Sequence, residues 1–151
     1  MYVFFLSILS NLVLMIFSEI LSGLWISDVE MLNKVEFLKD NLISIVINCT
    51  IDHNFPNVDQ KLRLPISPMF HSKDLEIFNR NISDILEYIH NHLDDHNILI
   101  CCYDGINVST VIMGLYIKKY CEHIPITDIP QIISSKNTSL IIPYDLSIFK
   151  I

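Results

Sequence analysis

The chain has 151 residues, 51% of them hydrophobic and 18% charged, with a formal net charge of −7. That length suits one domain with a real core, and the composition excludes global disorder. Asp and Glu number 17 against 10 Lys and Arg, with no basic stripe, which argues against nucleic acid and acidic lipid surfaces as partners.

Residues 1–17 form an apolar run with no charged side chain. Its length approaches the lower limit for a membrane-spanning helix. It lacks the basic residues that precede a signal peptide's apolar core, and it carries Ser7, Ser10 and Asn11. Three readings of this predicted helix compete: a membrane anchor, a helix packed on the domain, or a helix exchanged in a homodimer.

A domain is expected over residues 18–151, where elements alternate. Ser27 and Asp28 cap a predicted helix whose apolar positions Met31, Leu32, Val35 and Leu38 share a face. Ile43 to Ile47 reads as a buried strand. Lys61 to Leu64 reads as another, halted by Pro65 and Pro68. Leu75, Phe78, Ile82, Ile85, Leu86 and Ile89 recur at spacings of three and four, predicting a long amphipathic helix. Asn97 to Cys101 reads as the central strand and Ser109 to Tyr120 as a helix. This order predicts a single α/β domain with a largely parallel central sheet flanked by helices. The segment between Cys101 and Ser109 then lies at the carboxyl end of its strand, where α/β folds place ligands.

That segment reads Cys102-Tyr103-Asp104-Gly105-Ile106-Asn107-Val108-Ser109. An aliphatic strand enters a cysteine, a tight glycine-containing loop follows, and a hydroxyl residue opens the next helix. The pattern resembles the cysteine-dependent dual-specificity protein phosphatases, whose signature is His-Cys, five residues, Arg, then Ser or Thr. Gly23 to Ser27 looks like the opening strand of that family, and Ser44 to Thr50 its next core strand, with Asn48 in place. Ile141 to Phe149 is similar to its closing proline and terminal helix. The Gly105-Ile106-Asn107-x-Ser109 spacing is most similar to the short phosphatases of poxviruses and other large DNA viruses. Those relatives use an N-terminal helix in dimerisation.

The resemblance implies that Cys102 holds the nucleophile position and that Ser109 donates to the thiolate. The loop Tyr103, Asp104, Gly105, Ile106, Asn107 and Val108 would cradle a phosphoryl group with backbone N–H groups and the positive end of the following helix. A bidentate Arg would close the cage. Here the Arg position is Val108, Cys101 replaces the His, and Asp104 adds a carboxylate. Arginines acting on transferring phosphoryl groups are worth roughly 10³–10⁵ in rate. An inward Asp104 at about 5 Å would repel another unit charge by ~3 kcal/mol at an effective dielectric of ~20. The general-acid position holds Pro68, with Asp74 the candidate substitute. The competing reading of Asp74, after Ser72 and Lys73, is a carboxylate in the first turn of a helix.

The four cysteines, Cys49, Cys101, Cys102 and Cys121, lack the spacing of a zinc site or disulfide scaffold. A reducing, cytoplasmic location is therefore expected: host cytoplasm or virion under the viral resemblance. Cys49 and Cys102 read either as a redox pair or, preferentially, as two buried thiols. His90, His92 and His96 read as solvated residues near a helix end rather than a metal cluster. The sequons at Asn48, Asn81, Asn107 and Asn137 read as accidental. No metal or cofactor is expected. The function expected is a catalytically inactive phosphatase-like protein that binds another protein, including a phosphoprotein if the loop still accepts phosphate. The alternative is a divergent active phosphatase using Cys102.

Overall fold

β-branched and aliphatic runs bounded by Gly, Asn and Pro build the sheet at the centre of the computed structural model, which describes residues 15–151. Its strands are β1 (Phe17–Leu21), β2 (Leu24–Ser27), β3 (Ile43–Asn48), β4 (Gln60–Arg63) and β5 (Asn97–Cys101), in the spatial order β1-β2-β5-β3-β4. β2, β5, β3 and β4 run parallel, and β1 pairs antiparallel with β2. Gly23, at φ +78°, makes the tight connection between those two strands. The helices are α1 (Val35–Asp40), α2 (Ser72–His92), α3 (Ser109–Tyr120) and α4 (Ile129–Lys136).

Alternation along β5 divides the core. Ile98 and Ile100 face the larger cluster, with Phe78, Ile82, Leu86 and Ile89 of α2 and Val111, Ile112 and Leu115 of α3. Leu99 and Cys101 face the smaller one, with Val29, Leu32, Leu38, Ile43 and Val46. Phe17 stacks on Trp25 at 4.7 Å over that second face. Helix α3 is buried from Ser109 to Ile117, so the segment that opens it is held in the middle of the molecule. Cys101 pairs with Ser27 on one side and Asn48 on the other, which fixes where β5 ends and the loop begins.

The largely parallel sheet flanked by helices agrees with the sequence reading. Several elements differ from it. The helix expected from Ser27 is a 3-10 turn at Val29–Asn33 followed by short α1, because Lys34 leaves the helical region at φ −93°, ψ 70°. Val35 is consequently exposed, while Met31, Leu32 and Leu38 are buried. Strand β4 begins one residue earlier than expected, at Gln60. The tail carries one 3-10 turn, Leu146–Ile148, instead of a terminal helix. The helix expected over 1–17 lies, up to residue 14, outside the described residues, and Phe17 belongs to β1. Among the described residues no helix is long and apolar enough to cross a membrane.

Candidate active site

The loop from Cys102 to Val108 links the end of β5 to the start of α3. Backbone bonds pin its entrance: Cys102 N–H donates to Ser27 O at 3.2 Å and Cys49 N–H to Cys101 O at 2.7 Å. Gly105 N–H then donates back to Cys102 O at 3.3 Å, closing the turn. Gly105 sits at φ +74°, and a Cβ there would lie 2.9 Å from Asp28 N and 3.0 Å from Ile16 Cβ. Only glycine meets both the backbone sign and the space. At the exit, Thr110 Oγ1 donates to Ile106 O at 2.5 Å.

Cys102 and Ser109 lie together. Ser109 Oγ lies 3.2 Å from Cys102 Sγ, and Ser109 N–H donates to the same sulfur at 3.4 Å. The thiol is only 1% exposed. Burial pushes its pKa up; the Ser109 hydroxyl and the Ser109 and Val108 amides pull down, and the Asp104 charge pushes up again. The net direction is upward, so the neutral thiol is favoured where a nucleophile needs the thiolate.

Asp104, though exposed, folds its carboxylate back onto the loop. Its Oδ1 accepts the N–H groups of Ile106 and Asn107, both at 2.9 Å, and the Cys102 thiol at 3.5 Å. Val108, at the Arg position, is 3% exposed and packs in the larger core cluster. Tyr103 reaches outside the loop. Its hydroxyl accepts Ile51 N–H at 3.1 Å and donates to Asp52 at 2.9 Å, tying the loop to the segment after β3.

The general-acid side is also occupied by structure. Asp74 lies in the first turn of α2 and accepts the backbone N–H groups of Ser67 (2.9 Å) and His71 (2.7 Å), together with the Ser67 hydroxyl. Burial alone would raise its pKa, but these hydrogen bonds from Ser67 and His71 outweigh it and hold the carboxyl below its ordinary range. A general acid needs the opposite shift. Asp74 is a helix-start carboxylate, and Pro68 supplies no proton.

No Lys or Arg lies between Cys102 and Val108. Arg63 spends its guanidinium on Thr50 O (2.8 Å) and His53 O (2.6 Å), with its head over the Phe55 ring. Asn48 braces the same segment, donating to His53 O and accepting Thr50 N–H and Oγ1. A cavity of about 340 Å³ beside the loop is lined by Ile16, Val29 and Ile106 and by the carboxylate residues Asp28, Glu30 and Asp104. That sign of charge opposes a phosphoryl dianion. Asp28 is nearly buried, and burial holds its pKa up.

The remaining candidates find separate roles. All four cysteines are free; Cys49 is buried near Cys101 and Cys102, and burial and those thiols raise its pKa. His90 stacks on Tyr120 at 3.9 Å, His92 on Tyr88 at 4.0 Å, and His96 Nδ1 meets Ser44 Oγ at 2.8 Å. Among the described residues, no group of three His, Cys, Asp or Glu is placed to hold a metal ion. Sequence reasoning missed the Tyr103 and Arg63 ties; neither residue carries a local signal for a partner so far along the chain. The Asp104 turn had one, since Asp before Gly favours a side-chain-to-amide turn.

No protein-family profile matches the chain, and no curated protein matches it by sequence. Solved structures do match. Human DUSP28 superposes with a TM-score of 0.71 at 12% identity, covering 84% of each chain. DUSP15 gives 0.70 at 18% identity, covering 86% of this chain and 81% of its own. A human tyrosine phosphatase-like serine/threonine/tyrosine-interacting protein gives 0.67 at 20% identity, covering 83% of this chain and 87% of its own. The chain has the dual-specificity phosphatase fold.

Proposed function

We propose that this protein is a pseudophosphatase that works by binding another protein. The observation that carries the reading is Val108: the position that must present a cation to the phosphoryl oxygens holds a buried aliphatic side chain. Losing such a group costs roughly 10³–10⁵ in rate, about 4–7 kcal/mol of barrier. The raised thiol pKa of Cys102, burial first among its causes, and the lowered carboxyl of Asp74 act in the same direction. Loop spacing supports the likeness to the short viral phosphatases.

The partner surface is expected on the apolar residues left outside, among them Phe37 and Leu42. Residues 1–17 supply a second candidate contact, for a homodimer. A phosphatase-like protein described as interacting has the same fold, which supports binding as a use for it.

One observation favours a divergent active phosphatase: the Ser109–Cys102 pair is intact. Hydrolysis of an aryl phosphate by the full chain beside Cys102→Ser decides between the two. Equal background rates are expected. Turnover that disappears with the serine variant would contradict the inactive reading.

A further inference from the structure

Two of the loop's N–H groups already have an acceptor within the loop. Ile106 N–H and Asn107 N–H both end on Asp104 Oδ1 at 2.9 Å. An Asp taking the amides two and three residues on is a common local turn, and such a turn alone would mean little. The sulfur decides where this one lies. Oδ1 is also 3.5 Å from Cys102 Sγ, the atom that a phosphoryl group would approach.

We propose that Asp104 is a built-in occupant of the loop, a carboxylate that takes the place of a bound oxyanion and keeps the cradle closed to phosphate. This deepens the binding reading above and rests on it: a partner is recognised without a phosphate in this loop. A tetrahedral dianion entering the cradle needs the two N–H groups that Asp104 holds, and it meets a like charge at contact distance. No Lys or Arg between Cys102 and Val108 offsets that charge. Asp104 is itself exposed, so the carboxylate can be removed without cutting into the core. The thiol, Ser109 and the N–H groups would remain. What is left is an oxyanion site uncovered by one substitution.

The test is calorimetric titration of the full chain with inorganic phosphate and with tungstate, comparing wild type, Asp104→Ala and Asp104→Asn. Asp104→Ala removes both the charge and the acceptor, and at least tenfold tighter binding than wild type is expected. Asp104→Asn keeps an acceptor for the two N–H groups and removes only the charge, so a smaller gain is expected. It also guards against an alanine variant that fails to fold. Equal affinity across folded wild type and variants overturns the proposal, as does binding by neither folded variant. Aryl-phosphate turnover measured on the same samples separates the two readings. Cys102-dependent turnover by wild type, with tighter binding by Asp104→Ala, would defeat the inactive reading and support Asp104 as occupant. Equal affinities without turnover would defeat the occupant and leave the inactive reading in place.

Discussion

A thiol that is to attack phosphorus must ionise, and every contact around Cys102 bears on whether it does. Ser109 and the backbone amides help, but burial and the Asp104 carboxylate oppose. The same logic extends to Cys49 and Cys101, whose pKa values burial raises first and neighbouring thiols raise further. The consequence for stability has a definite sign. Where an unfolded thiol ionises, near its ordinary 9.0, the native chain still holds the proton. It therefore binds more protons than the unfolded chain, and stability falls as pH rises from about 8 upward. Urea midpoints should be level from about pH 6.5 to 7.5 and drop by pH 9.5. A Cys49→Ala variant should show a shallower drop. An alkaline limb identical to wild type in that variant would remove Cys49 from the account.

At the level of elements, Asp74 shows how one residue type serves either chemistry or architecture. It sits in the first turn of α2, with three hydrogen bonds running to it from the Pro65–Pro68 segment and the helix start. Asp74→Ala should cost about 1–2 kcal/mol in unfolding free energy and leave any aryl-phosphate hydrolysis unchanged. A loss of turnover at unchanged stability would instead make it an acid. Its lowered carboxyl, on which those hydrogen bonds outweigh burial, gives stability that is full above the ordinary carboxylate pKa. That contribution is lost as pH falls through the native value.

The long elements were legible from periodicity in α2 and from apolar runs in α3, β3 and β5. α2 carries apolar positions that only a helix brings together, α3 is a long apolar run opened by Ser109 and Thr110, and β3 and β5 are mostly aliphatic. The rest was hidden for particular reasons. β1 begins at Phe17, inside an apolar run that masks its alternation. α4 is built from Ile, Ser and a proline near its start, a poor propensity outweighed by burying Ile129 and Ile133. The 3-10 turn before α1 depends on Lys34 leaving the helical region, which nothing in its identity signals. Residue identity alone showed the aliphatic side chain at Val108 in the loop and the proline at Pro68 before α2. Only the fold shows that the exposed Asp104 also reaches the Cys102 thiol.

Taken as a whole molecule, the chain combines the dual-specificity phosphatase fold with an acidic surface. A net charge of −7 surrounds a cavity whose charged lining residues, Asp28, Glu30 and Asp104, are all acidic. Such a field disfavours phosphorylated ligands, which supports the proposed binding without phosphate. Phe37, Leu42 and Met69 are exposed apolar residues, which the proposed binding reading would use as partner surface.

The central claim is that the frame survives and that Val108 and Asp104 disable it. The measurement that tests it most directly is Cys102-dependent hydrolysis of an aryl phosphate with a good leaving group, which asks little of a general acid. Wild type and the Val108→Arg, Asp104→Ala double variant are compared, each beside its own Cys102→Ser control. The account predicts no Cys102-dependent rate in wild type and a gain of at least ~10²-fold in the folded double variant. A wild-type rate equal to that of the double variant, or a folded double variant no faster than its serine control, would contradict it.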